Sequence, residues 1–229
     1  EPTTSTADAA RKKGIEIIED FFGVELANKM VEQGKQADLT AANNVLAHVP
    51  DINDFVGGFA ALLKPTGVST FEFPHLLQLV SENQFDTIYH EHYSYLSLTA
   101  VKKIFESNGL SVFDVEILPT HGGSLRVYAQ RIDTGSHKTS DNVIKILDQE
   151  KSAGMNSVDF YAGFQAKADR VKNDFLSFLL EAKLTGKTVA GYGAAAKGNT
   201  LMNYAGVRQD LLSYVVDLNP AKQDKFLPG

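Results

Sequence analysis

Apolar positions along this chain change spacing repeatedly, and each change marks an element. Residues 4–14 have helical character, with Thr4 or Ser5 available as a cap and Gly14 as the stop. Ile15–Ile18 is a short apolar run of strand length, followed by the turn-like Asp20-Phe21-Phe22-Gly23. Residues 24–33 are helical again, and Ala37–Asn43 reads as a strand running into the polar corner Asn43-Asn44. Ile52–Leu63 has the spacing of a helix that Lys64-Pro65-Thr66-Gly67 breaks, and Val68–Phe73 is a strand ending at Pro74-His75. Thr99 is placed to cap a helix over Ala100–Asn108 that Gly109 closes. Ser111–Leu118 and Ser124–Gln130 are two strands around the polar turn Thr120-His121-Gly122-Gly123.

Alternating helices and strands that finish in two adjacent strands predict an α/β fold with a mostly parallel sheet and an antiparallel edge. Residues 131–141 are polar and read as a linker, and 142–184 read as helical. From Lys187 a second α/β unit begins: strand Lys187–Tyr192, a glycine turn, a helix, then strand Leu212–Val216. The expected division is 1–130, a helical connection 131–184, and a second, partial α/β unit 185–229.

Composition narrows the function classes. The 229 residues are 43% hydrophobic, enough for a buried core, and 22% charged. Net charge is −6 with no basic block, which argues against a nucleic-acid partner. No apolar run approaches the roughly 18 residues of a membrane span, and the first ten residues lack the layout of a secretory signal. With no cysteine, disulfides and thiolate metal sites are excluded from this stretch, and a cytoplasmic location is expected. The chain starts at Glu1-Pro2 and stops at Pro228-Gly229, which reads as a longer protein cut at both ends.

Two constellations carry chemistry. Gly191-Tyr192-Gly193-Ala194-Ala195-Ala196 fits G-x-G-x-x-A between a strand and a helix, and Asp217 ends the next strand 24 positions after Gly193. Glycines let backbone approach a pyrophosphate, a helix start offers N–H donors, and an acid at the strand tip can hold ribose hydroxyls. Lys197 could add charge there and Asn199 hydrogen bonds. The same glycines could instead serve only a tight turn, and a nicotinamide-dependent oxidoreductase, or another nucleotide-binding module, is the alternative this motif leaves open. The second constellation is Tyr89-His90-Glu91-His92-Tyr93-Ser94-Tyr95, dense in groups for proton transfer. If extended, it puts His90 and His92 on one face and Glu91 on the other. A zinc motif H-E-x-x-H is rejected, because Ser94 stands where its second histidine belongs. His48, Phe73, His75, His121 and Ser124 sit at strand ends or turns, where a loop-built site in such a sheet gathers.

In order, NNVLAHVPD, FEFPH, YHEHYSYLS, HGGSLRVYAQ, GYGAAAKGNTLMNY and VVDLNPAKQ make the whole chain resemble the S-adenosylmethionine-dependent sugar C-methyltransferases, which act on thymidine-diphosphate-linked deoxysugars. The resemblance implies a Rossmann-like methyltransferase sheet, here without its first strands and first glycine loop, and then a C-terminal domain that helps hold the nucleotide sugar. Zinc would belong only to a cysteine-bearing N-terminal domain outside this sequence; no metal is expected here, and the segment alone is expected to be inactive. By the same resemblance His92 is the general base, with Tyr89 and Glu91 around it and His48 nearby. Glu1 would contact the cofactor ribose, Asp20 and Phe21 the adenine, and Asn44 the methionine moiety. Phe73, His75, His121, Ser124 and the Gly191, Tyr192, Gly193, Lys197, Asn199 and Asp217 unit are the candidates for the sugar nucleotide. The expected reaction removes a proton from the carbon beside a ketone and methylates that carbon.

Overall fold

The computed structural model describes residues 1–229, which divide into two compact units: Glu1–Leu77 with Tyr93–Gly154, and Gln78–His92 with Met155–Gly229. No helix is long and apolar enough to cross a membrane.

The first unit is built on a four-stranded sheet. Its strands are β1 (Ala37–Asn43), β2 (Leu63–Pro74), β3 (Leu110–Leu118) and β4 (Ser124–Arg131), in the order β1-β2-β4-β3. Only β1 and β2 run parallel; β2/β4 and β3/β4 are antiparallel, so the sheet is mixed rather than mostly parallel. β3 and β4 form a hairpin beside the parallel pair, and that hairpin supplies both antiparallel ladders.

Around the sheet lie α1 (Thr4–Arg11), α2 (Val24–Glu32), α3 (Ile52–Leu62), α4 (Leu76–Ser81), α5 (Leu98–Ser107) and α6 (Asp141–Ser152), with α4 continuing into the second unit. One aromatic run ties these layers together. Phe22 meets Phe59 at 4.7 Å between ring centroids, Phe59 meets Phe71 of β2 at 4.8 Å, and Phe71 meets Phe105 of α5 at 4.7 Å. Phe71 and Phe105 are fully buried, and burying such a side chain is worth about 1.5–3 kcal/mol. Helix α3 is capped by Asp51, whose Oδ1 accepts from the N–H groups of Asn53 and Asp54. Asp54 in turn caps α2, accepting from Val24 N at 3.1 Å.

Several local expectations change. Ile15–Ile18 is not a strand; no neighbouring strand offers it a ladder, and Ile15 is 54% exposed. α3 ends at Leu62, ahead of Lys64 as expected, but Lys64–Gly67 is part of β2 and bulges within it, where the register steps from Ala37↔Leu63 to Leu39↔Val68. The cap of α5 is Ser97, whose Oγ accepts from Ala100 N at 3.1 Å, while Thr99 turns inward to Glu150. The helical stretch after residue 141 is interrupted at Gly154 and Gly163, both in the left-handed region.

In the second unit, α7 (Phe164–Leu184) and α8 (Ala196–Ala205) pack around Leu179, Ala205 and Val207. The predicted strands shrink to β5 (Gly191–Tyr192) and β6 (Val215–Val216), a parallel pair flanking α8 in sequence.

Candidate active site

In the first unit, the C-terminal ends of β1 and β2 lie side by side, with Asn43 paired to Glu72. Asn44 then turns the chain with a φ of 55°, and its N–H donates to the Glu72 carbonyl at 2.7 Å. Asparagine tolerates this left-handed conformation better than most residues. Its Oδ1 is buried and has no hydrogen-bond partner. A buried acceptor left open is costly unless a donor arrives.

Beside it, the Glu72 side chain is buried, accepting from Thr120 Oγ1 at 3.0 Å and from Arg126 Nη2 at 2.9 Å. Burial pushes this carboxyl up, but Arg126, Thr120 and Asn44 outweigh it and hold it below the usual carboxylate range. Glu72, Thr120 and Arg126, which cluster beside Asn44, were not singled out from the sequence. The signal was a charged residue inside the apolar strand run Phe71-Glu72-Phe73.

The other candidates of this unit fall into two groups. His48 is half-buried in the turn Leu46–His48. His121 is exposed, with a φ of 53° in the turn after β3. Glu1, Asp20 and Phe21 are also exposed; Glu1 accepts from Thr3 N and Asp20 from Phe21 N. By contrast, Phe73, Ser124 and His75 are sealed inside the unit. Phe73 is core, Ser124 Oγ donates to the Thr120 carbonyl, and His75 is paired with Glu150, so none of the three offers its side chain to a ligand here.

In the second unit the aromatic–histidine segment is a turn, not an extended strand. His92 N donates to the Tyr89 carbonyl at 3.1 Å, and the two rings lie 4.4 Å apart between centroids. His90 and Glu91 are therefore exposed at the tip, while Tyr89 and His92 are half-buried. His92 Nδ1 lies 2.9 Å from the Thr87 carbonyl. A carbonyl can only accept, so Nδ1 carries the proton and the lone pair of the neutral ring is at Nε2. Burial, with Glu91 and Asp86 adding to it, raises the Tyr89 phenol above its usual range, so at neutral pH Tyr89 is a hydrogen-bond donor.

The glycine turn has the predicted shape. Gly193 has a φ of 92°, donates its N–H to the Val216 carbonyl at 2.8 Å, and has open space where a Cβ would stand. α8 follows with no side-chain cap at its start, so the amides of its first turn are available to an anion. Tyr192 is 78% exposed, and Lys197 and Asn199 lie in the first turn of α8. Asn199 Oδ1 is a second buried acceptor with no partner. Asp217 was expected to face ribose hydroxyls. Its oxygens instead accept from Ala194 N and Asn219 N, each at 2.8 Å, which ties the carboxylate to the turn itself. Lys222, missed in the sequence, lies 3.5 Å from Asp217 and donates to the Ala194 carbonyl.

Comparison with known proteins bears on both units. Residues 5–115 match the methyltransferase domain model, and residues 119–229 match the model of the C-methyltransferase C-terminal domain. Along its whole length the chain is 36% identical to the C-methyltransferase NovU of Streptomyces niveus. The chain belongs to the C-methyltransferase family. It spans about half the length of that curated relative, 54%. The glycine turn and Asp217 lie within the match to the C-methyltransferase C-terminal domain, which favours the methyltransferase reading of this chain over an oxidoreductase. Among solved structures, a methyltransferase from Thermotoga maritima aligns with a TM-score of 0.43 at 14% identity, covering 57% of this chain and 71% of the other. The magnesium protoporphyrin IX methyltransferase of Synechocystis with bound S-adenosylmethionine aligns at 0.39 and 17%, covering 57% and 56%.

Proposed function

We propose that the protein methylates a carbon atom of a keto-deoxysugar nucleotide, with His92 as the general base. The observation that carries this reading is the hydrogen bond from His92 Nδ1 to the Thr87 carbonyl. It commits the neutral ring to one tautomer and leaves Nε2 as the basic atom. Imidazole titrates near neutral pH, as a base for a carbon acid beside a ketone needs. Nε2 takes the proton from that carbon, the electron pair moves into an enolate, and the carbon becomes the nucleophile. Tyr89, kept protonated, is suited to donate a hydrogen bond to the enolate oxygen.

S-Adenosylmethionine, the methyl donor the family implies, supplies an electrophilic methyl group. Asn44 fits it on chemical grounds: the open Oδ1 accepts a donor, which the amino group of a methionine moiety would provide. Glu1, Asp20 and Phe21 remain the residues proposed for its ribose and adenine. The turn Gly191–Gly193, the start of α8 and Lys197 suit the diphosphate of the sugar nucleotide, since backbone amides and a nearby cation favour phosphate.

The test is solvent deuterium exchange at the carbon beside the ketone, with S-adenosylhomocysteine bound. The expected result is exchange in the wild type and a loss of about 10²–10⁴-fold in His92→Asn, with both ligands still binding. Undiminished exchange in that variant would assign the base elsewhere.

A further inference from the structure

The segment that carries His92 has a second anchor, away from the histidine. Phe85 opens the short turn Phe85–Thr87 and is buried. Its ring meets Tyr204, on the last turn of α8, edge-on at 5.4 Å between centroids. Three residues of α7 hold the Tyr204 side chain in turn. Its hydroxyl donates to Asp169 Oδ1 at 2.5 Å and accepts from Gln165 Nε2 at 2.7 Å, and the Lys172 ammonium lies 5.1 Å from the ring centroid. An aromatic ring gripped at both edge and face is a fixed support.

From Phe85 the connection to the histidine is short and stiff. Thr87 is buried, and its N–H and Oγ1 both donate to the Gln84 carbonyl, while Ile88 N donates to the Phe85 carbonyl. The carbonyl of this same Thr87 receives the Nδ1 proton of His92. A shift of Phe85 therefore shifts the group that sets the imidazole tautomer.

We infer that Tyr204 is a positioning residue for His92, acting through Phe85 and the Thr87 carbonyl. The inference deepens the proposed function and rests on His92 being the base. α8 has the glycine turn at its start and Tyr204 at its end, so one rigid helix links the element suited to the nucleotide with the support of the histidine. Reactions of this kind lose rate steeply when a catalytic group is misplaced by about 1 Å.

The experiment uses the full-length protein with ¹⁵N-labelled histidine. Tyr204→Leu and Phe85→Leu keep apolar volume but remove the ring contact from either side. Both are expected to lower the Nδ1–H fraction of the His92 ring and to cut kcat for methyl transfer about 10- to 100-fold, with KM for S-adenosylmethionine unchanged. Tyr204→Phe keeps the ring against Phe85 and is expected to keep the wild-type tautomer. Wild-type ¹⁵N shifts of His92 in a folded Tyr204→Leu or Phe85→Leu protein overturn the inference. Failure of the base assignment reads differently: His92→Asn would then exchange normally, while the tautomer would still respond to Tyr204.

Discussion

His75 Nε2 donates to Glu150 Oε1 across 2.8 Å, and both side chains are sealed from solvent. The same carboxylate accepts from Leu98 N at 2.6 Å, and from Thr99 N at 2.8 Å and Thr99 Oγ1 at 2.5 Å. One side chain of α6 therefore pins the end of β2 to the start of α5, where first-turn amides favour a negative charge. Burial alone would push the Glu150 carboxyl up. His75, Thr99 and Leu98 together more than offset this and hold it below its usual range.

Glu150→Gln is expected to cost about 1–3 kcal/mol, the range for leaving buried donors without their acceptor, read from urea unfolding. The sign of the pH effect follows from the lowered folded-state pKa. The stability Glu150 contributes is present above the carboxylate value of the unfolded chain and is lost as pH falls through the lower folded value. Unfolding free energy measured from pH 7 downward should fall less steeply in Glu150→Gln than in the wild type. Parallel curves would mean the carboxylate is not ionised in the fold.

Asn44→Gly separates backbone from side chain. Glycine accepts the φ of 55° without strain, so the variant removes the side-chain amide alone, its open Oδ1 together with its hydrogen bond to Glu72. If that atom receives the cofactor, calorimetry should show binding of S-adenosylhomocysteine weakened about 10-fold, the worth of roughly one buried hydrogen bond. Unchanged affinity removes Asn44 from the cofactor site.

Gly193 and Gly206 form a matched pair for testing the glycine turn. Both have positive φ, 92° and 67°, and both have open space at the Cβ position. Alanine at either should cost about 1–2 kcal/mol of backbone strain. Only Gly193→Ala places a methyl group at the turn before α8, so only it should weaken thymidine diphosphate binding, by about 10-fold or more. Equal effects at the two positions would mean that the turn is structural.

Much of the fold was legible along the chain. β1 spans the Ala37–Asn43 stretch read as a strand, α3 follows its spacing to within a residue, and Gly193 turns the chain as its motif predicted. Local rules suffice there, because period, capping and positive φ are properties of a few neighbouring residues. They misplaced the cap of α5, since Ser97 and Thr99 are both good caps and only Glu150, 51 residues beyond Thr99, draws Thr99 away.

The sequence by itself determined the α/β character, the C-methyltransferase family motifs and the two clusters of chemistry at Tyr89–His92 and Gly191–Asp217. Tertiary structure decided what each polar side chain faces. His75 and Ser124 looked like site residues at strand ends and are buried partners of Glu150 and Thr120. Glu72, a charge inside an apolar strand run, is paired with Arg126, directly across the β2/β4 ladder. The sheet became mixed because strand direction depends on which strands pair, and that is a long-range choice. The tautomer of His92 likewise needs the Thr87 carbonyl brought to Nδ1, a contact made by the fold of the turn and not by the identity of either residue.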